Sequence, residues 1–167
     1  MYADFDHSLK LQVLYSKEEA SRIREEFWTT FGQYIAPQPS AEGLRINWIN
    51  YKTGIRHLFF KMEAGSRGGV IAIESTHPDE GIQELVMEQF TVLKNMLAES
   101  LQEEWIWEPH VQNAQGKIVS RIYREIDDVS VFRKEDWPAL ISFFKPRIMA
   151  LDDFWSTAKY AFEIFNG

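Results

Sequence analysis

LFFKMEAGSRGGVIAIES, residues 58–75, is the stretch that decides the fold. Its two ends are short runs rich in aromatic and aliphatic side chains, and the segment 65–69 between them contains three glycines. Such runs joined by a glycine-rich connection are typical of two strands in a hairpin. A similar run at residues 46–51 follows a loop signalled by Pro37 and Gly43. We therefore expect a meander of three strands.

Helical periodicity lies on both sides of these strands. Ser16 and Glu19 have the spacing of a capping box, and apolar side chains then recur at three- and four-residue steps. This pattern predicts a helix that begins at Ser16 and ends near Ala36. Thr76 is the predicted N-cap of a second helix, whose apolar stripe continues to Leu101.

The second half of the chain adds strands and a closing helix. Residues 105–111 and 117–126 predict two strands, and residues 129–132 are a candidate extension of the sheet. Residues 136–165 are helical in pattern, with Pro146 predicting a kink or a split. The order is α-β-β-β-α-β-β-α. It predicts an α+β fold, in which a mainly antiparallel or alternatively mixed sheet of about five or six strands packs with three helical segments.

Composition favours one domain over residues 1–167, because a chain of this length that is 45% hydrophobic supplies one core. The absence of cysteine excludes disulfides, thiolate metal sites and cysteine nucleophiles. The chain shows no signal-peptide pattern and no apolar run of roughly 20 residues, so we expect a cytoplasmic protein without membrane contact. A formal net charge of −7 disfavours nucleic acid as a partner without forbidding it.

Four stretches carry a resemblance to a known family: FWTTFGQY (27–34), IAIE (71–74), EEWIWE (103–108), and the region from SRIY (120–123) to Trp137. On these residues the chain resembles the family catalogued as domain of unknown function 4268. Such domains also occur behind nuclease-like or DNA-linked domains in longer bacterial proteins. The resemblance therefore implies an accessory role beside nucleic-acid processing. It carries over no catalytic residue, because the family is known by sequence similarity and not by an activity.

The order of the first six elements also resembles the core of the PD-(D/E)XK nuclease fold. In that interpretation Glu63 and Glu74 bind a divalent metal ion that activates water for attack on a phosphodiester. The nuclease pattern expects an acid-x-Lys on the third strand, where this chain has Glu74-Ser75-Thr76. Lys61 shares a strand face with Glu63 and is the candidate substitute. The favoured interpretation is that Lys61, Glu63 and Glu74 are polar residues on a solvated sheet face or at strand ends.

Two groups of polar residues are candidate binding sites. The first lies at residues 74–80, where a strand end meets a helix start and ligands often bind. The second lies on the faces of two neighbouring strands, by alternation. Each group also has a purely structural explanation: helix capping for the first group and cross-strand ion pairs for the second. The candidates are His77 and Asp79 in the first group, and Glu108, His110, Arg121 and Tyr123 in the second.

These observations favour a binding protein over an enzyme, because the sequence has no nucleotide fingerprint and no Ser-His-Asp order. We expect a non-catalytic binding or accessory module of the bacterial cytoplasm, linked to nucleic-acid processing or defence, with an unidentified protein partner and no cofactor. One alternative is a divergent metal-dependent nuclease, which alone would need a divalent metal ion. The other is a homo-oligomer that uses exposed aromatic side chains of the last helix, such as Phe154, Trp155 or Phe162.

Overall fold

The computed structural model describes the backbone of residues 2–166 and the side chains of residues 17–166. This part of the chain contains α1 (Tyr2–Ile35), β1 (Leu58–Ala64), β2 (Gly68–Ser75), α2 (Glu80–Val92), α3 (Lys94–Leu101), β3 (Ile106–Gln112), β4 (Ile118–Asp127) and α4 (Trp137–Ala158). Two 3₁₀ helices, Lys134–Asp136 and Lys159–Asn166, flank α4. None of these helices is both long and apolar enough to cross a membrane.

The strands form one antiparallel sheet in the order β1-β2-β4-β3. One row of side chains crosses all four strands, because Phe60 lies opposite Ile73, Ile73 opposite Ile122, and Ile122 opposite Trp107. The expected α+β class and antiparallel sheet are confirmed. Within the described residues the sheet has four strands, and the prediction of five or six is wrong because two of the predicted strands do not form.

Residues 46–51 are irregular because a side chain turns the backbone. Asn47 Oδ1 accepts hydrogen bonds from the N–H groups of Ile49 and Asn50, at 3.1 and 3.0 Å. An asparagine that bonds the amides two and three residues ahead builds a turn, which competes with an extended strand.

Residues 129–132 are also not a strand, and side chains again explain the difference. The Ser130 N–H group donates to Asp136 Oδ2 at 2.8 Å, and the Phe132 N–H group donates to Ser130 Oγ at 3.1 Å. These two amides are therefore not available for a strand ladder.

The first helix differs from its prediction at the N-terminal end. Its backbone runs from Tyr2 through Ser16 to Ile35, so the predicted start at Ser16 is wrong and the predicted end is confirmed. The Ser16 side chain, with its predicted capping box, lies outside the described side chains. Residues 2–15 contain no glycine or proline to stop a helix.

The second predicted helix begins later than expected and is divided in two. Asp79, not Thr76, is the N-cap of α2, and its Oδ1 accepts a hydrogen bond from the Gly81 N–H group at 2.8 Å. The Thr76 N–H group instead donates to the His57 carbonyl at 2.8 Å, which continues the pairing of β1 with β2. Leu93 separates α2 from α3.

The last predicted helix is continuous through Pro146 and ends in a 3₁₀ helix. Because Phe144 and Ile148 on either side of the proline are fully buried, tertiary packing holds α4 together across the missing N–H group. The predicted split is therefore wrong. Pro138 lies in the first turn, where the missing N–H group costs nothing, as predicted.

The core lies between one face of the sheet, α4 and α1. A Cβ atom on Gly69 would lie 2.9 Å from the Phe144 ring, so glycine is what allows β2 to approach α4 this closely. On its other side the Phe144 ring lies 6.4 and 6.2 Å from the rings of Phe27 and Phe31 in α1. All three rings are buried, and burial of such large apolar surfaces is the main favourable term in folding.

The aromatic side chains of the chain's end belong to this core. Phe154, Trp155 and Phe162 expose only 1%, 2% and 0% of their surface. The predicted oligomer surface built from these three side chains is therefore wrong, since all three are buried.

The opposite face of the sheet is polar and partly open. Alternation from the buried row places Phe59, Lys61 and Glu63 of β1 on this face, with Glu74 of β2 and Arg121 of β4 beside them. Phe59 is 42% exposed, and the side chains of Lys61 and Arg121 are 42% and 37% exposed. An antiparallel sheet with one solvated face is stable because the other face supplies the core.

Candidate functional site

A cleft of about 640 Å³ opens between the irregular residues 40–55 and the C-terminal helices. Its floor includes Tyr51 and Asp152. Its rim includes Glu42 of the irregular segment, together with Lys159 and other side chains of the last 3₁₀ helix. The volume lies within the range of roughly 300–1,000 Å³ that is usual for small-molecule sites.

Side chains of the C-terminal helices hold the irregular segment in place. Trp155 Nε1 donates to the Thr53 carbonyl at 2.9 Å, and Asn166 Nδ2 donates to the Gly54 carbonyl at 2.7 Å. Asn166 Oδ1 also accepts a bond from the Arg56 N–H group at 2.9 Å. The segment has no secondary structure of its own, so these bonds satisfy backbone groups that a strand would have paired.

Asp152 of α4 lies on the floor of the cleft and bonds two residues of the irregular segment. It is 6% exposed, and its Oδ1 accepts a bond from the Tyr51 hydroxyl at 2.6 Å. Its Oδ2 accepts a bond from the Ala41 N–H group at 2.7 Å. Burial, reinforced by this carboxylate, raises the pKa of Tyr51 far above its ordinary value. Tyr51 therefore stays protonated and donates to Asp152.

The rim is closed on one side by an ion pair. Lys159 Nζ lies 2.5 Å from Glu42 Oε1, and this hydrogen bond raises the pKa of Lys159. Together with Lys52, Asp152 and Glu163, the cleft has two cationic and three anionic side chains. Its local balance is slightly negative, like that of the whole chain.

A family model matches residues 23–159, a range that includes Tyr51, Asp152 and Lys159. Its description is Domain of unknown function (DUF4268). This chain belongs to that family. No curated protein and no solved structure matches the chain.

Three of the predicted binding residues lie together on the open sheet face of the DUF4268 domain. Both Nε and Nη2 of Arg121 donate to Glu108 Oε1, at 3.0 and 2.8 Å. The Arg121 guanidinium also lies 4.4 Å from the centre of the Tyr123 ring, which it covers. Burial and the neighbouring Glu108 raise the pKa of Tyr123. The Arg121–Glu108 contact is a cross-strand ion pair between β4 and β3, and the Arg121–Tyr123 contact joins neighbours on one face of β4.

The residues proposed for a nuclease site are only partly brought together. Lys61 Nζ lies 3.1 Å from Glu74 Oε1 across β1 and β2. Glu63 lies opposite Val70, whereas Glu74 lies opposite Phe59. The two glutamates are therefore four positions apart, or about 13 Å along the strands. Ligand distances of about 2–2.6 Å do not allow one ion to bind both carboxylates in this register.

The predicted residues around the start of α2 have local roles. Asp79 caps the helix, and its N–H group donates to His77 Nδ1 at 3.0 Å. The His77 ring lies 4.8 Å from the His57 ring, edge to face. His110 is in a β-bulge, where its backbone φ is 52°. Its Nδ1 lies 3.7 Å from Glu80 Oε1. In the described part of the chain no three His, Asp or Glu side chains converge as metal ligands.

Sequence reasoning missed the cleft. One feature of the sequence could have drawn attention to its central residue, Asp152. This residue follows Ile148 by four positions and precedes Trp155 by three, which places it on the apolar stripe of α4. A carboxylate on such a stripe needs a buried partner. The partner, Tyr51, is 101 residues away in a stretch with the composition of a strand, and no sequence pattern indicates that the two side chains meet.

Proposed function

We propose that the DUF4268 domain is a non-catalytic binding module and that its ligand occupies the cleft. The observation that supports this proposal is the buried carboxylate of Asp152 on the cleft floor. Each of its oxygens accepts one bond within the protein, and each has a second lone pair for a further donor. Convergent polar groups in a well-formed concavity are the usual mark of a ligand site.

The lining of the cleft selects the class of ligand. Asp152 offers acceptor capacity, the charge balance is slightly negative, and Asn47, Asn50 and Asn166 supply uncharged amides. We expect a small polar molecule that carries a hydrogen-bond donor or a positive charge. A phosphate group would meet more anions than cations here, which disfavours it.

A binding role fits the state of Tyr51 better than catalysis does. Because its pKa is raised, the hydroxyl retains its proton near neutral pH and cannot act as a general base. The separation of Glu63 from Glu74 removes support from the nuclease alternative. An accessory role beside nucleic-acid processing is part of the proposal, and the family resemblance is its only support.

The proposal is tested by filling the cleft. Ser156 lines the cleft and is half-buried, whereas its neighbour Thr157 is exposed and does not line it. We would titrate ¹⁵N-labelled protein with small amines, guanidines and amides, and record amide chemical shifts. Compounds that bind should perturb the amides of Tyr51 and Asp152 in the wild type and in Thr157→Phe, and not in Ser156→Phe.

Two outcomes contradict the proposal. One is binding that survives unchanged in a folded Ser156→Phe variant, which would place the ligand elsewhere. The other is the absence of any shift at the cleft across the whole compound set. The amide spectrum of each variant without ligand shows whether it is folded.

A further inference from the structure

The two edges of the sheet differ in how they are protected. The outer edge of β3 contains Pro109 and a register shift between Glu108 and Val111. Both features obstruct the addition of another strand. β1, at the other edge, keeps unbroken register with β2 from Leu58 to Ala64 and has no proline. A regular, unprotected edge is a template for pairing with another strand.

Hydrogen bonds at the two ends of β1 show which of its backbone groups point outward. The Thr76 N–H group bonds the His57 carbonyl at 2.8 Å, and the Gly65 N–H group bonds the Gly68 carbonyl at 2.9 Å. Bonded and non-bonded pairs alternate in an antiparallel ladder. Residues 59, 61 and 63 therefore bond to β2, and residues 58, 60, 62 and 64 direct their N–H and C=O groups away from the sheet.

One of these four outward residues is already occupied. The Leu58 N–H group donates to the Ile55 carbonyl at 3.3 Å, and the Leu58 carbonyl accepts from Thr53 Oγ1 at 2.8 Å. Within the described part of the chain, the outward backbone groups of residues 60, 62 and 64 have no hydrogen-bond partner. Three alternate residues with free donors and acceptors match the repeat of a paired strand.

We propose that the β1 strands of two copies of this chain pair antiparallel, with Met62 on the two-fold axis. In this register Met62 lies opposite the partner's Met62, and Phe60 lies opposite the partner's Ala64. All three free backbone positions are then bonded at once. A register centred on Phe60 would instead require the groups of Leu58 that the loop occupies.

Side chains on the open sheet face favour the same register. Lys61 lies opposite the partner's Glu63, and the symmetry makes this contact twice. These are non-hydrogen-bonded pairs, in which opposite side chains approach most closely. Glu63 is exposed and makes no ion pair with any described residue, so its charge is available. Phe59 lies opposite the partner's Gly65, beside which the monomer has open space.

The pairing closes on itself. A two-fold contact uses the same edge of both copies and leaves only the two β3 edges at the ends of the joined sheet. Because Pro109 and the bulge obstruct those edges, the assembly stops at a dimer and does not extend into a fibre.

Sedimentation velocity across a wide concentration range tests this interface. The wild type should associate reversibly into dimers. Glu63→Lys replaces both attractive contacts with Lys61 by repulsive ones and should weaken dimerisation roughly tenfold or more. Glu125→Lys is the matched control, because Glu125 is an exposed acid on the same sheet face but on β4, away from the edge. It should dimerise like the wild type.

Single-cysteine variants test the register, and the chain has no native cysteine to interfere. Met62→Cys places two thiols opposite each other at a Cα separation of about 5.5 Å, which a disulfide can span. Mild oxidation should give a covalent dimer. Ala64→Cys lies opposite residue 60 of the partner and should not crosslink.

Three results would overturn the proposal, and none of them bears on the cleft. They are a monomeric wild type at every concentration, equal weakening by Glu63→Lys and Glu125→Lys, and crosslinking of Ala64→Cys as efficient as that of Met62→Cys.

Discussion

Replacing Tyr51 with phenylalanine removes one hydroxyl group from the cleft floor and leaves the ring in place. The ring stacks on Phe60 at a centroid distance of 5.2 Å, and the substitution preserves this contact. The lost interaction is the 2.6 Å bond from the hydroxyl to Asp152 Oδ1. The variant therefore isolates the contribution of one hydrogen bond to a buried carboxylate.

The expected cost follows from the charge of the acceptor. Hydrogen bonds to charged groups contribute about 1.5–3 kcal/mol to the free energy of unfolding. In a domain of this size that corresponds to a fall in Tm of roughly 3–12 °C. We expect the Tyr51→Phe variant to show this loss in thermal and urea unfolding at neutral pH.

Tyr160→Phe is the matched control. Tyr160 lines the same cleft and is 64% exposed, with its ring 5.4 Å from Lys159 Nζ. Its hydroxyl makes no hydrogen bond with a described residue, so its removal should change stability by less than about 0.5 kcal/mol. If Tyr51→Phe is as harmless as this control, the Tyr51–Asp152 bond does not hold the cleft together and our reasoning about the site is refuted.

Three further variants or conditions test other parts of the structure. Because the pKa of Tyr51 is raised in the folded state, the Tyr51 hydroxyl stabilises the fold fully below the ordinary tyrosine pKa of about 10, and this stabilisation is lost as pH rises toward the pKa of the folded state. The urea midpoint should therefore fall more between about pH 9 and 11 for the wild type than for Tyr51→Phe. Gln83→Ala leaves the Ile118 carbonyl and the Ser120 hydroxyl without the partner that Gln83 supplies, and it should lower the free energy of unfolding in urea by about 3 kcal/mol. Glu84 is exposed, so Glu84→Ala should change it little. Equal effects of the two variants would contradict the importance of the buried Gln83 bonds. Gly69→Ala places a Cβ atom against the neighbouring helix and should cost about 1–3 kcal/mol by calorimetry, and an unchanged Tm would show that α4 can move.

The parts of the fold that local chemistry determines were predictable. The β1–β2 hairpin follows from apolar runs around a glycine-rich turn, and β3 and β4 follow from a similar pattern. The errors occur where a side chain competes for backbone amides. Asn47 turns a segment whose composition resembles a strand. Asp79 caps a helix three residues after Thr76, which is also a capping residue by type.

The candidate site was less predictable than the fold, for a different reason. Arg121, Glu108 and Tyr123 could be placed together because adjacent strands and alternation determine their positions. The contact of Asp152 with Tyr51 depends on how an irregular segment packs against α4, and no periodic pattern encodes that packing. Lys159 and Glu42 likewise meet across 117 residues of sequence.

The irregular segment at residues 40–55 also determines how its amides exchange with solvent. It is held by separate bonds from Asp152, Trp155 and Asn166 and not by a strand ladder. Such a segment opens locally, at a lower free energy than global unfolding. Its amides should therefore exchange hydrogen for deuterium as one group, faster than those of the sheet. A molecule held between this segment and α4 must be released before the segment opens, so a bound ligand slows that exchange in proportion to its affinity.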